Sequence, residues 1–122
     1  MLSKIVIEML PKDQPHRHGL PDEDDYWYDP DGTLQIRITE QEDYRDFQLL
    51  ATHALMEAFA NEHLGVTPSM VDAYDKTVPE NEQPGDRPDC PYFLSHQAAM
   101  SGEKALGIVL QRVLWTKRDG KE

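Results

Sequence analysis

His53 and Glu57 stand four residues apart in the run His53-Ala54-Leu55-Met56-Glu57. In a helix that interval puts both side chains on one face, a turn apart. An imidazole and a carboxylate so placed can hold one metal ion, as the paired histidines of zinc peptidases do. A solvated pair or a simple hydrogen bond also produces this interval. Ala51, Ala54, Leu55, Ala58 and Phe59 set the pair at the edge of an apolar helix, where an unpartnered carboxylate is costly. Further along, Asp72, Asp75 and His96 are available as third or fourth ligands. The alternatives are exposed helix acids for the two aspartates and a capping or surface role for His96.

Other chemistry-bearing residues have weaker surroundings. His16 and His18 lie in a proline-flanked loop beside the acidic run Asp22 to Asp25, a setting that suits a solvated loop better than a metal site. Cys90, ahead of Pro91, has no adjacent base and reads as a helix-start residue rather than a nucleophile. Ser69, Ser95 and Ser101 lack a nucleophile-elbow context, and no glycine-rich phosphate loop is present.

The elements that must position these residues follow from periodicity. Ile5, Ile7 and Met9 alternate with Lys4, Val6 and Glu8, which predicts a strand over 3–9. Tyr26-Trp27-Tyr28, the turn residues Asp29-Pro30-Asp31-Gly32, and Thr33 to Ile38 predict a hairpin with Leu34, Ile36 and Ile38 on its buried side. At Thr39 the period changes. Thr39 with Glu42 has the form of a capping box, opening a central helix that runs to about Leu64 and ends at a left-handed Gly65. Phe47, Leu50, Ala51, Ala54, Leu55, Ala58 and Phe59 form its apolar stripe. Thr67-Pro68 starts a short helix that fades by Pro79. Residues 79–89, with three prolines and Gly85, read as a surface loop. A last helix is expected from Pro91 to about Leu114, with Ala99, Leu106, Val109, Leu110 and Val113 inward and a frayed tail over 116–122. The expected fold is one α+β domain. Its N-terminal strand and β-hairpin form a small antiparallel sheet packed on a long central helix, a short helix and a C-terminal helix.

Composition restricts the functions open to such a domain. A chain of 122 residues is long enough to bury a core without disulfides, and its single cysteine cannot form an internal one. That favours a reducing compartment. Glu8 interrupts the first apolar run too early for a signal peptide, and no stretch approaches bilayer-spanning length. The expectation is a cytoplasmic, soluble protein. A net charge of −11 argues against phosphate-rich partners, so neither nucleic acid nor an anionic membrane is expected. It suits solubility first, and leaves open a basic protein surface as partner.

Taken in order, these segments resemble a group of small, uncharacterised phage and prophage proteins with a zinc-peptidase-like helix motif of HELVE type. The matching pieces are Tyr26-Trp27-Tyr28, Gly32-Thr33-Leu34-Gln35-Ile36-Arg37-Ile38, His53-Ala54-Leu55-Met56-Glu57-Ala58 and Val71-Asp72-Ala73-Tyr74-Asp75. Pro84-Gly85-Asp86-Arg87-Pro88, Pro91-Tyr92 and His96-Gln97-Ala98-Ala99 complete the series. The resemblance covers most of the chain. It implies a zincin-like protein in a bacterial host cytoplasm, with His53, Glu57 and His96 as metal ligands and Asp75 as a fourth ligand or a group orienting a histidine. Such a donor set suits Zn²⁺ best, with Mn²⁺ and Fe²⁺ also compatible.

One departure bears on activity. Where zinc peptidases carry the glutamate that takes a proton from water at the metal, this chain has Ala54. General-base assistance is worth on the order of 10²–10⁴ in rate. The expectation is therefore a metal site without a working peptidase around it; an active hydrolase would need Asp72, Asp75 or Glu62 as replacement base. A second reading is an acidic phage accessory protein that binds a host protein by charge, on the nucleic-acid-mimic principle, through Asp22 to Asp25, Asp29, Asp31, Glu40, Glu42 and Asp43.

Overall fold

The computed structural model describes residues 2–16, 24–79 and 81–111. Its elements follow the expected α+β order: β1 (Lys4–Leu10), β2 (Asp24–Tyr28), β3 (Thr33–Thr39), α1 (Tyr44–Leu64), α2 (Pro68–Asp75) and α3 (Phe93–Leu110). A single 3-10 turn, Pro84–Asp86, precedes α3.

The sheet differs from expectation in one respect. It is mixed, not antiparallel: the order is β1-β3-β2, with β1 parallel to β3 and β2 antiparallel to it. The physical reason lies in β3, whose Leu34, Ile36 and Ile38 are completely buried. The most deeply buried strand takes the centre, where both its edges are paired, and the other two flank it. In this register Ile5, Ile7 and Met9 sit opposite Leu34, Ile36 and Ile38. They share the apolar face but lie at its rim, because α1 crosses β3 and β2. Ile7 accordingly remains 42% exposed.

Asp29 to Gly32 make the hairpin turn. Gly32 takes a positive φ of 89°, and the Asp31 carboxylate accepts a hydrogen bond from Thr33 N–H at 3.0 Å. Thr39 does not cap α1. It is the last residue of β3, paired with Leu10, and its hydroxyl lies 2.8 Å from Nε2 of the buried His16. The sheet thus claims this threonine, and α1 starts later, capped by Asp43, which accepts from the Arg45 N–H at 2.9 Å. His16 is therefore not a solvated loop residue. Its neighbours His18, Asp22 and Glu23 lie outside the described residues.

Leu49, Leu50, Ala54 and Ala58 of α1 close on Leu34, Ile36 and Ile38 to form the main core. Phe59, expected in the stripe, is largely exposed. The α1 C-terminus ends as expected, with Gly65 at φ 76° and Val66 N–H returning to the Asn61 carbonyl at 2.8 Å. Thr67 caps α2 through the Met70 N–H, as its sequence predicts. On α3, Ala99 is buried, and Leu106 and Leu110 pack on the core. Val109, expected inward, is exposed, while Val113, Leu114 and the tail expected to fray lie outside the described residues. Gly102 supplies the close approach of α3 to α1, since a Cβ there would overlap the Met56 thioether. Among the described residues, no helix is long and apolar enough to cross a membrane.

Candidate metal centre

Packing α1 against α3 brings His53, Glu57 and His96 together. Each offers one ligand atom, and the three atoms lie within 4.8 Å of one another. Glu57 Oε2 is the hub, 3.2 Å from His53 Nε2 and 3.0 Å from His96 Nδ1. The two imidazoles meet edge to face with centroids 4.9 Å apart. Both rings are buried, and Glu57 is nearly so.

Each imidazole also has a carboxylate on its far nitrogen. His53 Nδ1 donates to Glu103 Oε1 at 2.9 Å, and His96 Nε2 lies 3.2 Å from Asp86 Oδ1. Glu103 comes from the middle of α3 and has no exposed surface. Asp86 comes from the 3-10 turn. The residue before it, Gly85, presses bare backbone on His96, because a Cβ at that position would overlap the ring. Two helices and one turn therefore hold two rings, with three carboxylates around them.

Electrostatics in the cluster are strong. Burial disfavours the His53 imidazolium, but Glu103 and then Glu57 outweigh it and raise its pKa to about 9. Burial likewise opposes the Glu57 carboxylate, yet the hydrogen bonds from His53 and His96 hold its pKa at about 2. With protons on both nitrogens, His53 is an imidazolium bridging two carboxylates. A divalent cation on the inner nitrogen would present positive charge to Glu57 in place of the imidazolium proton. The group formed by His53, Glu57 and His96 can hold a metal ion: ligand bonds of about 2.0–2.1 Å in a tetrahedron put donor atoms about 3.3 Å apart, close to the spacing around Glu57.

Asp75, the fourth residue expected here, is not among the three grouped ligands. Its Oδ1 accepts a hydrogen bond from the phenol of Tyr92, whose ionisation burial and then this carboxylate strongly suppress. Tyr92 belongs to a second small core with Val66, Val71 and Cys90. Cys90 is buried there, its pKa pushed up to about 11 by desolvation, as befits a residue without nucleophilic character. Glu62 accepts from the Tyr28 hydroxyl at 3.0 Å.

Sequence reasoning missed Glu103, Asp86 and the role of Gly85. Signals existed for each. Glu103 falls between Ala99 and Leu106 on the inward stripe of α3, where a charged residue needs a partner. Gly85-Asp86, between prolines, is a tight turn able to approach a ring closely. Comparison with family models, curated proteins and solved structures finds no match for this chain.

Proposed function

We propose that this protein is a small zinc-binding domain in which His53, Glu57 and His96 hold the ion, and that the ion joins α1 to α3 rather than powering peptide hydrolysis. The observation that carries this is the convergence of three ligand atoms within 4.8 Å from two helices. Two imidazole nitrogens and one carboxylate oxygen are a donor set zinc favours, and closing such a site contributes directly to folding.

The surroundings of Ala54 support the non-catalytic half of the reading. Its methyl is buried in the core with Leu34, Ile36 and Ile38. A glutamate at position 54 would have to place its carboxylate among these side chains. Two replacement bases considered from sequence are occupied, Glu62 by Tyr28 and Asp75 by Tyr92. The ordered motifs shared with zincin-like phage and prophage proteins fit a member that has kept the metal and lost the chemistry.

The test is metal analysis of tag-free protein, followed by thermal unfolding after chelation and zinc add-back. One equivalent of metal, and a Tm that rises with zinc in the wild type but not in His53→Ala, is expected. Absence of stoichiometric metal, with no zinc-dependent change in Tm, overturns the proposal.

A further inference from the structure

The contacts on the far side of each ring say more than that a cation fits. We infer that Glu103 and Asp86 are positioning residues that fix opposite tautomers in the two histidines, so that a metal is bound through Nε2 of His53 and Nδ1 of His96. The inference rests on the metal-binding reading of this same site and specifies how the site is built.

The geometry is asymmetric. His53 turns Nδ1 to Glu103 at 2.9 Å and Nε2 to Glu57 at 3.2 Å. His96 does the reverse, with Nδ1 toward Glu57 at 3.0 Å and Nε2 toward Asp86 at 3.2 Å. Glu57 is a carboxylate too, so without a cation the inner nitrogens also donate to it. Once a cation takes Glu57 and displaces those hydrogens, Glu103 and Asp86 still retain the hydrogen on the nitrogen each faces. The opposite nitrogen is then the one left to bind a cation. This arrangement of metal, histidine and carboxylate raises the basicity of the ligating nitrogen and holds the ring in plane.

The two braces differ in their origin. Glu103 is buried, rigidly carried by α3, and orients a ring from α1. Asp86 sits on a partly exposed turn that Gly85 seats against the ring it serves. A side chain at position 85 would push that turn off His96 and withdraw Asp86 with it. The Pro-Gly-Asp turn is therefore part of the metal centre rather than a plain surface connection.

The experiment uses the full chain labelled with ¹⁵N-histidine and loaded with ¹¹³Cd²⁺, with zinc affinity measured by competition. Scalar coupling from cadmium to His53 Nε2 and to His96 Nδ1 is expected. Glu103→Gln and Asp86→Asn keep an acceptor but lose the charge; each is expected to weaken zinc binding 10- to 100-fold and to broaden the tautomer signature of its own ring alone. Asp86→Asn, on the surface, keeps the test decisive even if Glu103→Gln does not fold. Coupling through the other nitrogens, or variants that bind zinc as the wild type does, overturns the inference while leaving the metal site standing. A wild type that takes up no cadmium or zinc overturns both.

Discussion

Gly85 meets the imidazole of His96 with backbone alone, and a Cβ at that position would overlap the ring. Gly85→Ala must therefore move either the turn or the ring. The expected cost is about 1–3 kcal/mol of stability, as for other overpacking changes. Zinc affinity should fall as well, by about tenfold or more. Paired denaturant melts and zinc titrations check this; an unchanged affinity would show that the turn does not set the ring.

The metal-free domain should be most stable in mildly acidic solution. His53 has a folded pKa near 9 against 6.5 for the model group, so its contribution is complete below about 6.5 and disappears as pH rises through 9. Glu57, held near 2 against 4.5, contributes above about 4.5 and loses that contribution as pH falls toward 2. For these two groups the plateau lies between. Urea melts in chelator at pH 6 and pH 9 should differ by on the order of 2 kcal/mol, and His53→Gln should remove most of that difference.

Asp75 and the proposed metal ligands are separable. Asp75→Asn should leave metal stoichiometry at the wild-type value and lower stability by about 1 kcal/mol, through the weakened bond to Tyr92. Tyr92→Phe should do the same from the other side. Loss of bound metal in Asp75→Asn would instead make Asp75 a fourth ligand.

Introducing a peptidase-like glutamate should not create a peptidase. Ala54→Glu would bury a carboxylate in the main core, at a cost of several kcal/mol. The expected product is an unstable protein with no metal-dependent cleavage of a peptide library. A folded variant with chelator-sensitive cleavage would contradict the orientation of α1 described above.

The centre and the rim of the apolar face can be told apart by truncation. Ile36→Ala, at the centre, should cost about 2–5 kcal/mol. Ile7→Ala, directly opposite on β1, should cost less than about 1 kcal/mol, since its side chain is already 42% exposed. Urea denaturation of both variants measures the contrast.

Much of this was legible in the sequence because local chemistry decided it. The Asp-Gly turn, the Gly65 cap, the Thr67-Pro68 helix start and the one-face placement of His53 with Glu57 all depend on neighbours within a few residues. His96 was readable as a candidate third or fourth ligand, but its convergence on that pair depends on how α3 packs against α1, which local chemistry does not fix. Failures came where a distant strand or helix intervened. Thr39 looked like a cap until β1 and His16 claimed it, and Val109 fell outside the face that α1 covers. Strand direction could not be read from alternation, which is identical for parallel and antiparallel partners. Glu103 was overlooked because a carboxylate on an apolar stripe has meaning only once its partner fifty residues away is placed.

The parallel pairing of β1 with β3 also bears on how the chain assembles. Of the three described strands β1 is synthesised before the others, yet its described neighbour in the sheet is the last of the three. The hairpin of β2 and β3 closes locally and fast, whereas β1 must be retained across the intervening residues until β3 emerges. Until then its Ile-Val-Ile segment waits without a template, and variants that slow the hairpin turn should aggregate during synthesis before they show any loss in the finished protein.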